Sequence, residues 1–137
     1  TTLYAGTANG VFVTTNGTTN WSATGVGPSE VLALAVDPFD PLTVYAGTPA
    51  GGIWKTTNGG TSWTPSSTGV PNSFRVQSLA IDRFTTTTIY AGLDGGGLYR
   101  STNGGANWSA IGSGLLADDV EAVLVHPANA ARVFVAT

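Results

Sequence analysis

Thr56-Thr57-Asn58-Gly59-Gly60-Thr61-Ser62-Trp63 returns as Ser101-Thr102-Asn103-Gly104-Gly105-Ala106-Asn107-Trp108, and in rougher form as Thr14-Thr15-Asn16-Gly17-Thr18-Thr19-Asn20-Trp21. The three tryptophans stand 42 and 45 residues apart. Other phrases keep the same spacing. Tyr4-Ala5-Gly6, Tyr45-Ala46-Gly47 and Tyr90-Ala91-Gly92 correspond, with Phe134-Val135-Ala136 as a fourth version. So do Leu34-Ala35-Val36-Asp37-Pro38, Leu79-Ala80-Ile81-Asp82 and Leu124-Val125-His126-Pro127. A fixed period in the forties with strand-like content is the mark of a repeat architecture. The approximate units are 1–41, 42–86 and 87–137.

Each unit holds four short apolar runs punctuated by turn formers. In the second unit Thr43 to Gly47 reads as one strand, and Gly51-Gly52 turns into Ile53 to Thr57. Asn58-Gly59-Gly60 turns again into Trp63 to Ser66, and a longer loop leads to Val76 to Asp82. Runs rich in Val, Ile, Tyr, Thr and Trp, bounded by Gly, Pro, Asn and Asp, predict antiparallel strands and hairpins. No stretch sustains a helical apolar period; Asp118 to Val125 comes nearest, but its alignment with residues 31–36 predicts a strand. The expected fold is all-β, a segment of about three four-stranded antiparallel blades of a β-propeller. Uniformly apolar runs such as Val31 to Val36 suit the innermost strand, expected to be buried on both faces. The Trp-led strand suits the outer edge, where a large ring can cover the gap between sheets.

The motif resembles the Asp-box, or bacterial neuraminidase repeat, Ser/Thr-x-Asp-x-Gly-x-x-Trp. Its members include sialidases, sortilin-type receptors, xyloglucan hydrolases and the photosystem II assembly factor. The surrounding phrases Val44 to Thr48 and Gly52 to Gly60 look most like the last three groups. The matching positions are Thr14, Asn16 and Trp21; Thr56, Asn58, Gly60 and Trp63; and Ser101, Asn103, Gly105 and Trp108. All three copies carry Asn where the family prefers Asp, and Thr18 replaces the usual Gly. The resemblance implies a structural turn on the outer rim. Asn can still bond the turn backbone and tolerates left-handed conformations.

In the blade order that the resemblance implies, the innermost strand comes first. The chain then starts at a second strand, Leu3 to Thr7, and ends after another, Val133 to Ala136. The expectation is a partial propeller, completed by further blades in cis or by another copy of the chain. An isolated arc would leave strand edges and apolar faces open.

Composition narrows the function classes. Only 9% of the 137 residues are charged and the formal net charge is −3. The five basic residues are scattered, so no electrostatic footprint for nucleic acid exists. No run of 18 apolar residues is present, so no membrane span is expected. The absence of cysteine excludes disulfides and thiolate metal sites. Low charge with abundant Thr and Asn points to an extracellular or cell-surface protein.

Sites of chemistry are sparse. His126 is the single histidine, and it stands where Asp37 and Asp82 stand in the other units. One histidine makes no transition-metal site, so neither metal nor cofactor is expected. Asp94-Gly95-Gly96-Gly97 is glycine-rich, but no helix and no Gly-Lys-Ser/Thr follows, which suits a hairpin turn rather than a phosphate cradle. Arg75, Arg83, Arg100 and Arg132 show no sialidase-like arrangement.

Tyr90 to Arg100 resembles the xyloglucan-hydrolase segment that carries one catalytic aspartate, which would place Asp94 at that role. It departs from the family's pattern at Gly92 and Leu93. Glycoside hydrolysis needs a second carboxylate across the bond; Asp118, Asp119 and Glu30 sit in loops predicted on the same face. That face gathers the hairpins at 7–10, 48–52 and 93–97 and the loops at 25–30, 68–75 and 112–119. Loops carry function more often than strands, so Asn9, Phe74, Arg75, Asp94, Asp118 and Asp119 form the candidate binding set. Phe74 is either a platform for a sugar or peptide or a plug beneath its loop.

The first functional reading is a non-enzymatic propeller segment of a secreted or surface protein, a scaffold or a module that binds protein or glycan. The second is a fragment of a xyloglucanase-like hydrolase using Asp94. The third is a building block whose copies complete a propeller between them.

Overall fold

The computed structural model describes residues 1–17, 19–25, 27–115 and 118–137. Thr18, where the first turn motif departs from the repeat, lies outside the described residues, as do Val26, Leu116 and Ala117 in the predicted loops. Among the described residues there are thirteen strands and no helix. The first sheet is β1 (Leu3–Thr7), β2 (Gly10–Thr14) and β3 (Ser22–Ala23). The second is β4 (Ala33–Val36), β5 (Val44–Gly47), β6 (Ile53–Thr56) and β7 (Thr64–Pro65). The third is β8 (Arg75–Ile81), β9 (Ile89–Asp94), β10 (Gly97–Ser101) and β11 (Ser109–Ile111). The fourth pairs β12 (Ala122–Val125) with β13 (Val133–Ala136). Every pairing is antiparallel between consecutive strands.

The core is a series of seams between neighbouring sheets. Val11, Val31, Val44, Ala46 and Trp63 fill the first seam. Tyr45, Ile53, Val76, Ile89, Ala91, Leu93 and Trp108 fill the second. Tyr90, Leu98, Val120, Val123 and Val125 fill the third. Strand alternation explains the division: successive side chains point to opposite faces. Val44 and Ala46 therefore enter one seam and Tyr45 the next.

The Tyr-Ala-Gly phrase now has a physical cause. Its glycine faces the chain segment that leads into the next sheet. A Cβ on Gly6, Gly47 or Gly92 would stand 2.7, 2.6 or 2.5 Å from Cγ1 of Val31, Val76 or Val120. Each of these valines also donates its backbone N–H to the preceding sheet, at Thr7, Thr48 and Leu93 respectively, at 3.0 Å. The seam is thus a packed contact and a backbone hydrogen bond made at one place.

The tryptophan motif is a closed turn. The Thr56 hydroxyl donates to Asn58 Oδ1 at 2.9 Å and accepts from Gly60 N at 3.0 Å; Asn58 Oδ1 also accepts from Ser62 N at 3.0 Å. Ser101, Asn103, Gly105 and Asn107 repeat this set. Gly60 and Gly105 have φ of 88° and 85°, a region in which L side chains are strained. The first copy keeps the Thr14 to Asn16 bond at 2.8 Å. In two copies the ring reaches back to the preceding sheet: Trp63 Nε1 donates to Thr24 Oγ1 and Trp108 Nε1 to the Ser66 carbonyl.

Two sequence expectations are corrected. The innermost strands are not buried on both faces. β4 is mostly half-buried and β12 alternates between exposed and buried, whereas β5 is buried throughout and β9 nearly so. The exposed residues of β12, Ala122 and Leu124, pair with Ala136 and Phe134 on the face that no other sheet covers, and burial on both faces falls to β5 and β9, the second strands of the two four-stranded sheets, which have a sheet on either side. Some strands are also shorter than expected. The Trp63 run contributes only Thr64–Pro65 to the strand, with one further bond from Ser66 N to the Ile53 carbonyl at 2.7 Å. The runs from Val31 and from Asp118 enter their ladders at Ala33 and Ala122, their first residues being spent on the seam bonds.

Candidate functional site

The hairpins and loops predicted to share a face do meet. Gly97 N donates to the Asp118 carbonyl at 2.7 Å, tying the β9–β10 hairpin to the loop before β12. The tryptophan motifs lie with the Asp-Pro turns instead: Gly59 N donates to the Leu42 carbonyl and Gly104 N to that of Thr87. At those turns Asp37 Oδ1 accepts from Phe39 N and Asp82 Oδ1 from Phe84 N. His126 Nδ1 accepts from Ala128 N at 3.1 Å, so the histidine caps the turn as its aspartate counterparts do.

Two cavities open on the hairpin face. The smaller, about 90 Å³, is lined by Gln77, Asp94, Asp119, Val120 and Glu121. A β-bulge between Val76 and Ser78 accompanies Gln77. Asp94 and Asp119 are thus brought together. Arg75 faces Asp94 across the β8–β9 ladder. Asp118 is exposed beside them, its carbonyl taken by Gly97. Among the described residues no three His, Asp or Glu side chains gather as a cation site requires. Phe74 lies against the second seam, its ring 3.3 Å from where a Gly95 Cβ would stand. Asn9 sits apart on the exposed β1–β2 turn, where its N–H donates to Thr7 Oγ1.

The larger cavity, about 420 Å³, is formed by Gly27, Pro28, Ser29 and Glu30 of the loop before β4, Thr48, Pro49 and Ala50 of the β5–β6 hairpin, and Trp54 of β6. Ligand pockets typically span roughly 300–1,000 Å³, so this one has room for a small organic ligand and the smaller does not. Trp54 packs partly against the first seam and also lines the cavity. Thr48 Oγ1 is engaged with the Gly52 carbonyl at 3.0 Å, which fixes the hairpin. Sequence reasoning placed Glu30 on this face but passed over Trp54. The available signal was its repeat position, which holds an aromatic residue each time: Phe12, Trp54 and Tyr99.

No family model and no curated protein matches the chain. Solved structures do. An ancestral GH74 enzyme superposes over 92% of the chain with a TM-score of 0.77 and 22% identity. A GH74 xyloglucanase from Xanthomonas campestris covers 89% with a TM-score of 0.72 and 18% identity. YCF48 from Cyanidioschyzon merolae covers 96% with a TM-score of 0.68 and 16% identity.

The chain is a β-propeller segment. It spans 19% and 23% of the two GH74 chains and 46% of YCF48. At these identities the likeness is one of fold. No helix among the described residues is long and apolar enough to cross a membrane.

Proposed function

We propose that this chain is a non-enzymatic propeller segment of a secreted or cell-surface protein, and that it binds a neutral glycan on its hairpin face. The observation that carries this reading is the 420 Å³ cavity with Trp54 in its wall. Sugars present C–H faces that pack on aromatic rings and hydroxyls that need polar partners. Trp54 offers the first; Ser29 and Glu30 offer the second. A chain with only 9% charged residues suits an uncharged ligand. The likeness to a GH74 xyloglucanase makes xyloglucan oligosaccharides the first ligands to try. The test is titration calorimetry with these oligosaccharides, on the chain itself and on Trp54→Ala and Glu30→Gln. Saturable binding lost in Trp54→Ala and weakened in Glu30→Gln supports the reading. Absence of binding across xyloglucan and plain β-glucan leaves the scaffold role instead.

A second reading, a xyloglucanase-like hydrolase fragment, is favoured by one observation: Asp94 and Asp119 line a common cavity beside a bulge. Bulges are over-represented next to active sites, and glycoside hydrolysis uses a carboxylate pair. Reducing-end release from xyloglucan that vanishes in Asp94→Asn would select this reading over the first.

A further inference from the structure

The seams on either side of the second sheet are built alike, but they are filled differently at the hairpin face. The valines that close them set the correspondence. Val31 N donates to the Thr7 carbonyl and Val76 N to that of Thr48, so Ser29 precedes one valine by two places as Phe74 precedes the other. Glu30 and Arg75 correspond in the same way. The hairpins Thr48 to Gly52 and Leu93 to Gly97 are of equal length, which matches Ala50 with Gly95 and Trp54 with Tyr99. In the second seam Phe74 enters from the loop and, with Tyr99, packs against the core. Its ring lies 3.3 Å from where a Gly95 Cβ would stand and 2.9 Å from that of Gly96. In the first seam residues 24–30 bring no aromatic side chain. Ser29 and Ala50 are exposed there, and the space beside Trp54 is the cavity of about 420 Å³.

We infer that this cavity is an empty ring slot: Ser29 and Ala50 hold it open, and the ring of a bound ligand takes the place that Phe74 takes in the next seam. The second seam shows that the architecture accepts a six-membered ring between loop and hairpin with the β9–β10 ladder intact. The two differences act together. Ser29 withdraws the ring, and Ala50 puts a methyl where glycine lets a ring come close. A tethered phenylalanine would press on that methyl, whereas a free ring can shift away from it. The walls of the slot are already set. Gly27 lies so near the Trp63 ring that a Cβ there would stand 2.6 Å from Cδ1, and the Pro28 carbonyl is 3.0 Å from where a Gly10 Cβ would stand. The Thr48 hydroxyl holds the facing hairpin through the Gly52 carbonyl. A preformed cleft spares a ligand the cost of ordering loops. Trp54 supplies the apolar wall, and covering its face with a ring removes water from both. At the rim the Glu30 carboxylate replaces the Arg75 guanidinium, so this slot accepts hydrogen bonds from hydroxyls. A pyranose ring meets both demands. That the ring is a sugar rests on the reading proposed above; the slot itself does not. Ser29 is then the specificity-determining residue of this face, since it decides that the first seam binds a ring and the second contains one.

The test is proton–nitrogen correlation NMR of the Trp54 indole N–H, identified by its loss in Trp54→Phe. Two probes are titrated: phenol, which is a bare ring, and xyloglucan oligosaccharides. In the parent both should shift the Trp54 signal saturably, and phenol should displace the oligosaccharide. Ser29→Ala removes the hydroxyl without filling the slot and should keep phenol binding. Ser29→Phe with Ala50→Gly copies the second seam's plug and should weaken both probes by roughly tenfold or more. Near-UV circular dichroism reports folding; if the double variant unfolds, Ser29→Leu replaces it with a loss in the same direction. Phenol without effect on the parent overturns the inference. So does a Ser29→Ala variant that loses phenol, or a folded double variant that still binds either probe. An oligosaccharide that binds without shifting Trp54 or competing with phenol overturns the placement of its ring. Phenol binding with no oligosaccharide binding refutes the glycan reading and supports the slot.

Discussion

Tyr45 shows what a single residue contributes across a seam. Its ring is buried, and its hydroxyl donates to the Gly104 carbonyl at 3.0 Å. Lys55 Nζ donates to the same oxygen at 2.9 Å and lies 5.2 Å from the Tyr45 ring centroid. Burial, and secondarily the charge of Asp37, push the Tyr45 hydroxyl up to about 12. In the unfolded chain it titrates near its usual value of about 10. The neutral form is therefore favoured by folding. Its contribution is complete below about pH 10 and is lost as pH rises toward about 12. Urea denaturation at pH 8, 10 and 12 should reveal a loss of about 2 kcal/mol over that window from this group. Tyr45→Phe should cost about 1 kcal/mol at pH 8 and flatten the alkaline loss; an unchanged alkaline slope in that variant would assign the effect elsewhere.

At the scale of elements, equal sequence does not mean equal worth. Trp63 and Trp108 seal the outer ends of seams, whereas Trp21 has no sheet before it within one copy. Truncating a buried tryptophan costs about 3–5 kcal/mol, while exposed positions change stability by under about 1 kcal/mol. Trp108→Ala and Trp63→Ala should therefore fall in the first class. Trp21→Ala should fall in the second when measured at concentrations where the chain is a single copy. Comparable losses at all three would mean that Trp21 is buried in solution. The second-strand glycine is a sharper probe of sheet-to-sheet packing. Gly92→Ala would drive a methyl against Val120 and toward the Val120 carbonyl, 2.9 Å from the new Cβ. Overpacking of this kind costs roughly 1–3 kcal/mol. Because the third seam is the one disturbed, thermal melts should show the loss while the second seam keeps its near-ultraviolet tryptophan signal.

Among the described residues the main contacts between sheets join neighbours in the row, β1 with β4, β4 and β5 with β8, and β8 and β9 with β12, so stability should grade along it. β5 and β9 lie between two seams and are buried almost throughout. β1 is exposed at Leu3 and Gly6, and β13 at Phe134 and Ala136. Local opening is easiest where few apolar contacts hold the backbone. Amide hydrogen exchange should find the slowest amides in β5 and β9 and faster ones in β1 and β13. Uniform protection along the chain would show that the end sheets are as firmly held as the interior ones.

The sequence by itself determined the repeat, the strand order within each sheet, the turn chemistry and the division of loops between two faces. These are short-range properties: a glycine at a turn, an asparagine two residues after a threonine and alternating side chains act within one hairpin. Burial was decided by the tertiary structure. Trp21 and Trp63 occupy the same local phrase and differ only in whether a sheet stands before them. The innermost strands read as core from composition, yet β4 is mostly half-buried and β12 alternates between exposed and buried, according to whether a sheet stands against each face. Trp54 is a cavity wall because the fold sets residues 27–30 and the hairpin at 48–50 beside it. Periodicity reports which face of a strand a side chain takes; what covers that face is set by contacts between sheets, and these join residues some forty positions apart.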